Sequence, residues 1–272
     1  MQKRIFWGAI FGAIAILFLL FKNAGFIALM FVLGNICVYE INNAFKLGGI
    51  KSSPFFGHVF VVLLTPAYFF LGDTGIFLLL GICMYLNFCY FILRKNVDEE
   101  MLYSNLQFIY PCFMMSFVCP LLYAKGNLRF GFFIMLSIVL CCVATDIFAY
   151  FAGMAFGKHK LNPNISPKKT IEGACGGFLG SVGVSICTYF VITQFRLIDF
   201  PLAFMITIGI ICGVFAQFGD LTASMIKRIC GIKDFGYIIP GHGGVLDRVD
   251  SILFCLPVCY IALFVFERLG GV

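Results

Sequence analysis

The sequence predicts an all-α fold, in the form of a polytopic integral membrane helical bundle with about nine transmembrane helices. Hydrophobic residues make up 61% of the 272 positions and charged residues only 12%, and the mean hydropathy is +1.01. A soluble domain is nearer to about 25% charged. The apolar residues also fall into runs close to the roughly 20 residues that a helix needs to cross a bilayer. Residues 1–272 are therefore expected to form a single membrane domain.

Nine apolar runs are long enough, or nearly so, to form spans. Several lie near the lower limit of about 17 residues, so their boundaries are loose. Residues 1–125 hold the N-terminal spans, and residues 126–272 hold the later spans with the longest polar loops. The runs are Ile5–Phe21, Gly25–Ile41, Phe55–Leu71, Gly75–Leu93, Leu106–Tyr123, Phe130–Tyr150, Ala174–Ile192, Pro201–Phe218 and Val249–Phe266.

The charges of the loops predict an orientation. With nine spans, the N-terminus shares one side of the membrane with the loops that carry fourteen of the nineteen Lys and Arg residues. Loops rich in Lys and Arg stay in the cytoplasm. The N-terminus and both long polar loops are therefore expected to be cytoplasmic, in a cell (inner or plasma) membrane. The net charge of +6 is spread over specific loops and not over one basic face, so no nucleic-acid partner is expected.

One polar stretch, residues 219–251, stands out in this apolar chain. It holds four of the thirteen acidic residues, four basic residues and one of the three histidines. Charged residues beside membrane spans are costly to place, and such a cluster is a functional hypothesis by default. The rest of the chain is expected to hold this cluster at the membrane surface.

Asp220, Ser224 and Lys227 are spaced to share one face of a helix, and Asp247 and Asp250 are spaced to share a face of the last span. One Asp on the first helix and two on the last span can together supply oxygen ligands to a hard cation such as Mg²⁺. The alternative is that the acids at 247 and 250 complement the dipole at a helix N-terminus and pair with arginines. The spacing alone leaves both interpretations open.

Two glycine- or lysine-rich loops are candidates for phosphate binding. The turn from Pro240 to Gly244 precedes a helix, and its backbone N–H groups could approach a phosphate, although an ordinary re-entry turn explains it equally well. In the earlier loop, Lys168 and Lys169 stand between two hydroxyl residues at a helix start. That pattern suits a triphosphate, and it also resembles helix capping with a topology anchor.

Three further features have simpler explanations. Asp146 lies near the end of an apolar run, where a carboxylate needs a partner such as a metal ion or a lysine. Glu40, also near a run end, is expected to be an interfacial or hairpin-stabilising residue. The 13 cysteines lie mostly in apolar runs and are expected to pack as small core residues, except Cys230, which is expected to be an exposed thiol.

The polar positions of the C-terminal half resemble a known family signature. The match runs without departure over Ser224-x-x-Lys227-Arg228, then Lys233-Asp234, then Pro240-x-His242-Gly243-Gly244-x-x-Asp247-Arg248-x-Asp250. This is similar to the signature of the phosphatidate cytidylyltransferases, or CDP-diacylglycerol synthases. The family's SPKKTxEG element is present at residues 166–173, and its membrane aspartate at Asp146.

The resemblance implies a membrane enzyme, usually a homodimer, that makes CDP-diacylglycerol and pyrophosphate from CTP and phosphatidate. It implies Mg²⁺ as cofactor, with K⁺ as a candidate second ion. Its implied metal ligands are Asp220, Asp247 and Asp250, with Asp146 as a further candidate. Lys227 and Arg248 join the three aspartates as catalytic residues. The implied substrate-binding residues are Ser166, Lys168, Lys169, Thr170, Glu172, Ser224, Arg228, Lys233, His242, Gly243 and Gly244.

Two alternatives remain open on the sequence. The same chemistry could act on another lipid phosphate, as in a CDP-archaeol-type synthase. The intramembrane acids would also allow a cation-coupled transporter, although the polar cluster lies largely in loops and no internal repeat supports that class.

Overall fold

The structure, a computed structural model, describes residues 22–94, 99–237 and 243–270. The chain forms two compact units. The first unit consists of the described residues up to Ser116 together with Ile226–Val249. The second consists of Phe117–Met225 and the residues from Asp250 onwards. Each unit is therefore built from two separate pieces of the chain.

Most helices follow the apolar runs, but the predicted run Leu106–Tyr123 is divided among several short helical pieces. The first unit contains α1 (Lys22–Leu47), α2 (Phe55–Arg94), α3 (Glu100–Gln107), a π-helical turn (Phe108–Phe113) and α4 (Met114–Ser116). The second contains α5 (Val118–Leu122), a 3₁₀ turn (Ala124–Gly126), α6 (Leu128–Phe156), β1 (Lys160–Asn162), β2 (Ser166–Thr170) and α7 (Ile171–Gln194). Two helices pass from one unit to the other, namely α8 (Leu202–Ile229) and α9 (Leu246–Arg268).

Seven helical stretches in the described ranges are long and apolar enough to cross a membrane. This agrees with an all-α, multi-pass membrane protein. The predicted count of nine is not confirmed, and the first predicted run, Ile5–Phe21, lies outside the described residues. The seven stretches are Ala28–Leu47, Phe55–Arg94, Glu100–Gly126, Leu128–Phe156, Ile171–Gln194, Leu202–Ile229 and Leu246–Arg268.

The long helix α2 contains a break. A straight helix of its 40 residues would be about 60 Å long, twice the hydrocarbon thickness of a bilayer. Gly72 interrupts it with φ of 62° and ψ of −149°, a conformation that disfavours any residue with a side chain. The break lies between the two predicted runs Phe55–Leu71 and Gly75–Leu93, which the structure joins into one interrupted helix.

Small residues let α7 pack closely on α6 within the second unit. A Cβ atom at Gly173 would lie 2.7 Å from the Ala149 carbonyl oxygen, and one at Gly177 would lie 2.7 Å from that of Thr145. Glycines at this spacing allow close helix contact in membrane proteins. The close packing of α6 on α7 therefore holds the two ends of the connecting loop near each other.

That loop is not irregular. β1 and β2 pair antiparallel, so the lysine-rich segment is the second strand of a small hairpin. The Thr170 hydroxyl accepts a hydrogen bond from the N–H of Gly173 at 3.1 Å and thereby caps α7. The capping alternative is confirmed for Thr170. The hairpin adds two short strands to the predicted helical fold.

Ten of the thirteen cysteines are buried, as expected for packing residues, whereas Cys175 and Cys187 are exposed, so the prediction is wrong for these two. All thirteen lie in the described residues, and they form no disulfide bonds there. Cys230, which was expected to be exposed, is only 3% accessible, so that prediction is wrong. The physical reason is the tight approach of Gly48, where a Cβ atom would lie 2.8 Å from the Cys230 Cα atom.

Candidate functional site

Each compact unit contains one lysine–aspartate ion pair made of residues from the candidate site. In the first unit, the Lys227 ammonium lies 2.6 Å from Oδ1 of Asp247. This pair is nearly closed to solvent, since the side chains are 12% and 4% exposed. The Lys227 Nζ atom also lies 5.3 Å from the centre of the Phe235 ring, a cation–π distance.

The second carboxylate oxygen of Asp247 is held by the backbone. Oδ2 accepts hydrogen bonds from the N–H of Phe235 at 2.8 Å and from that of Gly244 at 3.0 Å. Asp247 therefore has three donors from three different chain positions. Burying a charged group is costly unless it is paired and hydrogen-bonded, and here both conditions are met. The arrangement fixes the carboxylate in one orientation.

Gly243 and Gly244, the last two residues of the glycine turn, border on this carboxylate. Gly243 has φ of 86°, which a residue with a side chain rarely adopts. A Cβ atom there would lie 3.1 Å from Oδ2 of Asp247 and 3.3 Å from Oδ1 of Asp234. Asp234 belongs to the motif but is not among the predicted site residues. Pro240, Gly241 and His242 lie outside the described residues.

Glu40 is the residue that sequence reasoning misjudged. Its side chain is 0% exposed and accepts hydrogen bonds from the N–H groups of Val245 at 3.0 Å and Leu246 at 2.7 Å. An interfacial or hairpin role for Glu40 is therefore wrong, because its partners are more than 200 residues away at the start of α9. The only signal in the sequence was a single acid close to the end of an apolar run.

The second unit holds the second ion pair, between Lys169 at β2 and Asp220 on α8. This pair is open to solvent, since the two side chains are 28% and 31% exposed. The sequence predicted both residues for the site but could not predict that they pair. Lys169 lies in a strand of the β1–β2 hairpin and not in an irregular loop.

The backbone of Asp250 lies close to Gly219, the residue before Asp220, in the second unit. A Cβ atom at Gly219 would lie 2.5 Å from the carbonyl oxygen of Asp250 and 2.9 Å from the Cα atom of Ser251. The Asp250 carboxylate is 6% exposed and accepts a hydrogen bond from the N–H of Ser251 at 2.7 Å. Close packing of α8 on α9 therefore brings the backbone segments of two predicted metal ligands together.

Glu172 accepts hydrogen bonds from the loop before the hairpin. Its carboxylate accepts hydrogen bonds from the N–H groups of Lys158 at 3.1 Å and His159 at 3.2 Å, and it lies 2.6 Å from the His159 ring nitrogen Nδ1. These contacts join the end of α6 to the start of α7. Substrate contact by Glu172 stays a prediction.

The remaining predicted residues lie on the expected elements. Asp220, Ser224 and Lys227 are all in α8, and Asp247 and Asp250 are both in α9, as the helical spacing predicted. Asp146 is an exposed residue of α6. Ser166 and Ser224 are half-buried. Four basic residues are exposed and could contact substrate phosphates, namely Lys168, Arg228, Lys233 and Arg248.

The predicted metal ligands offer carboxylate oxygens, with Asp247 in the first unit and Asp220 and Asp250 in the second. Mg²⁺ prefers carboxylate oxygens, and each carboxylate oxygen can accept more than one partner. Oδ1 of Asp247 contacts one ammonium group, and Oδ2 of Asp220 contacts another. A lysine therefore supplies the counter-charge of each oxygen, and a metal ion bound there would share the oxygen with that lysine or replace it. Mg²⁺ and K⁺ themselves stay predictions.

These features define a multi-pass membrane protein with two lysine–aspartate ion pairs among its predicted site residues. Comparison with known proteins makes this class specific. The model of the cytidylyltransferase family matches residues 2–266. The chain therefore belongs to the cytidylyltransferase family, and it is a nucleotidyltransferase enzyme.

Several relatives carry the name phosphatidate cytidylyltransferase. The Bacillus subtilis protein is 29% identical over 98% of this chain and 99% of its own length. The Thermotoga maritima protein is 38% identical over 62% of this chain and 60% of its own length. The Staphylococcus haemolyticus protein is 48% identical over 44% of each chain. The similarity to the first relative extends along nearly the whole sequence.

Proposed function

We propose that this chain transfers CMP from CTP to phosphatidate and produces CDP-diacylglycerol and pyrophosphate. The observation that carries the proposal is the family match over residues 2–266, together with near full-length similarity to a phosphatidate cytidylyltransferase. The two lysine–aspartate pairs supply charges that suit a reaction between two polyanions.

The reaction needs charge neutralisation more than a base. A phosphate oxygen of phosphatidate attacks the α-phosphorus of CTP, a new P–O bond forms, and the bond to pyrophosphate breaks. The attacking oxygen is already anionic at neutral pH. The basic residues at the site reduce the repulsion between the two substrates, and the fixed site aligns them.

Cation binding falls to the aspartates in this proposal. Asp220, Asp247 and Asp250 are the carboxylates that the family resemblance assigns to Mg²⁺, with K⁺ as a second ion. Bound Mg²⁺ would supply charge neutralisation at the α-phosphate of CTP and at the leaving pyrophosphate. Lys169 and Lys227 already contact two of these carboxylates and would share the phosphate-binding role with Lys168, Arg228 and Arg248.

An apolar groove in the second unit suits a lipid acyl chain. It has a volume of about 520 Å³ and lies between α7 and α8. Ile171, two residues after Lys169, and Leu221, next to Asp220, both line it. An acyl chain lying there would leave its phosphate near the open ion pair. The other lining residues include Leu161, Phe178, Val214 and Phe218.

The proposal includes orientation and assembly. The predominance of Lys and Arg on one side supports a cytoplasmic N-terminus and cytoplasmic polar loops in the cell membrane. The family resemblance supports a homodimer. Labelling of cysteines placed in each loop of intact cells tests the orientation, and cross-linking in membranes tests the dimer.

The deciding experiment uses the full chain in detergent–lipid micelles with CTP labelled in the cytidine. Label should enter the organic phase only when both phosphatidate and Mg²⁺ are present, with an equal amount of pyrophosphate in the water. Transfer to a different lipid phosphate but not to phosphatidate would correct the substrate. Lack of transfer to any lipid phosphate by the folded protein would overturn the proposal.

A further inference from the structure

A buried glutamate from the first described helix holds the start of the last one. Oε1 of Glu40 accepts the N–H of Val245, and Oε2 accepts the N–H of Leu246. The first N–H groups of a helix have no partner within the helix, and they are usually satisfied by a side chain close in sequence. Here the partner comes from α1, more than 200 residues earlier. A local cap alone would not require so distant a residue.

Two glycines make room for this carboxylate. A Cβ atom at Gly244 would lie 2.6 Å from Oε2 and 2.7 Å from Oε1 of Glu40, and one at Gly236 would collide with Oε1. Neither glycine has a positive φ, so the backbone conformation alone does not demand glycine there. The space that these two positions leave is filled by Glu40. Gly236 and Gly244 therefore leave the space that a protein carboxylate occupies.

The same short segment holds Asp247. Gly244 packs on Glu40 and donates its N–H to Oδ2 of Asp247. The N–H of Leu246, the residue before Asp247, is bound by Glu40. Residues 244–246 thus lie between the two carboxylates and bind both. A shift of this segment would move Asp247 away from its other donors, Lys227 and Phe235.

We propose that Glu40 is a positioning residue for CMP transfer, which fixes the peptides before Asp247 and thereby the orientation of the Asp247 carboxylate. This inference rests on the proposed function. Glu40 itself contacts backbone N–H groups, so it acts through Asp247 and not on the substrate. Small displacements at a site of this kind are expensive in rate, because about 1 Å of misplacement can cost about 100-fold.

The test compares Glu40→Gln and Glu40→Ala in the full-length protein. The amide of Gln keeps the volume and one acceptor but presents N–H groups to a backbone donor, whereas Ala removes both acceptors. The turnover number should fall roughly tenfold for Gln and roughly 100-fold for Ala, with little change in the KM for CTP. Partial rescue by the conservative Gln variant is expected of a positioning residue. If the Ala variant does not fold, the Gln variant carries the comparison.

A matched control is available on the same helix. Asn42 is also buried on α1 and donates a hydrogen bond to Oε1 of Gln107 at 2.9 Å, away from the segment before Asp247. Asn42→Ala should lower the midpoint of thermal unfolding with the turnover number unchanged below that midpoint. A loss of turnover in the Glu40 variants that merely follows their loss of stability, as in the control, would overturn the inference.

The outcomes separate the two proposals. Wild-type turnover on phosphatidate together with unchanged turnover of folded Glu40 variants would overturn the positioning role alone. An inactive but folded wild-type protein would overturn the proposed function and this inference with it. A fall in turnover without a matching rise in KM, larger for Ala than for Gln, would support the inference.

Discussion

The two ion pairs, one in each unit, have the same chemistry but different surroundings. Lys227 and Asp247 are 12% and 4% exposed, and two backbone N–H groups bind the aspartate as well. Lys169 and Asp220 are 28% and 31% exposed. The first pair is nearly closed to solvent, whereas the second is partly exposed. Equal charges at the two places should therefore contribute differently to stability and to activity.

The energies of the two pairs differ for a physical reason. Removing one partner of a buried pair leaves an unpaired charge in a medium of low dielectric constant, which costs about 3–5 kcal/mol. An exposed pair contributes only about 0–1 kcal/mol, because water solvates each charge alone. Activity need not follow stability, since both aspartates are proposed to bind cations.

The largest effect is expected for Asp247→Asn. The amide loses the charge opposite Lys227 and brings N–H groups towards the donors at Phe235 and Gly244. Turnover should fall by at least about 10²–10³-fold, and unfolding free energy by about 3–5 kcal/mol. Labelled-CTP transfer and thermal unfolding in detergent measure the two quantities.

A charge-balanced double variant is the control for Asp247→Asn. Adding Lys227→Met removes the unpaired ammonium, so part of the stability should return while turnover stays low. Near-normal turnover of folded Asp247→Asn would contradict a role for this carboxylate in the reaction.

Asp220→Asn should lose as much turnover as Asp247→Asn, but it should be far more stable than that variant. The exposed pair with Lys169 contributes at most about 1 kcal/mol to folding, so the unfolding midpoint should stay close to that of the wild type. The matched control is Lys160→Gln, which removes a positive charge from the same hairpin but from a residue outside the proposed site. A loss of stability equal to that of Asp247→Asn would show that the two pairs do not differ as described.

Gly244→Ala distinguishes two explanations of the glycine turn. If the glycine serves to admit the Glu40 carboxylate, a methyl group there displaces Glu40, lowers turnover and costs about 1–3 kcal/mol of stability. The KM for CTP then changes little. If the glycine serves phosphate binding instead, KM should rise with turnover preserved.

Gly81→Ala is the control for that substitution. A Cβ atom at Gly81 would have nothing within 4 Å, and the residue lies in a helix of the same unit. Alanine in an open helical position is favoured over glycine by about 1 kcal/mol. Gly81→Ala should therefore leave activity unchanged and stability unchanged or slightly higher.

The sequence predicted which site residues share a helix. It did not predict which residues from different elements form pairs in the folded chain. Asp220, Ser224 and Lys227 are correctly placed on one helix, because the spacing of residues on a helix is a local property. The pairing of Lys169 with Asp220 depends on how a hairpin meets a distant helix. No spacing rule links positions that are 51 residues apart, so this contact could not be predicted.

Glu40 shows the same limit more strongly. A lone acid near the end of an apolar run has the pattern of an interfacial residue, and only the folded chain shows its two N–H partners. The hairpin was missed for a different reason. Its strands have three and five residues and include a proline, which gives no alternating pattern to detect.

The smallest expected effect concerns Cys230, which follows Lys227 by three residues. The reactivity of its thiol measures how well the segment near the buried ion pair is shielded from solvent. Burial raises the pKa of the Cys230 thiol. The thiolate is the form that reacts with maleimide, so Cys230 in the folded protein should react slowly at pH 7.5 and readily after denaturation in detergent. Peptide mapping by mass spectrometry separates this cysteine from the other twelve.

The same shift predicts a small dependence of stability on pH. Because the folded-state pKa is above the unfolded value of about 8.5, the thiol stabilises the fold fully below that pH and progressively less as pH rises through the folded pKa. Cys230→Ser should remove this alkaline loss. If Cys230 in the folded chain reacts as fast as in the denatured chain, the segment after Lys227 is accessible to solvent. The Lys227–Asp247 pair would then not be shielded from solvent as described, and its contrast with the Lys169–Asp220 pair would fail.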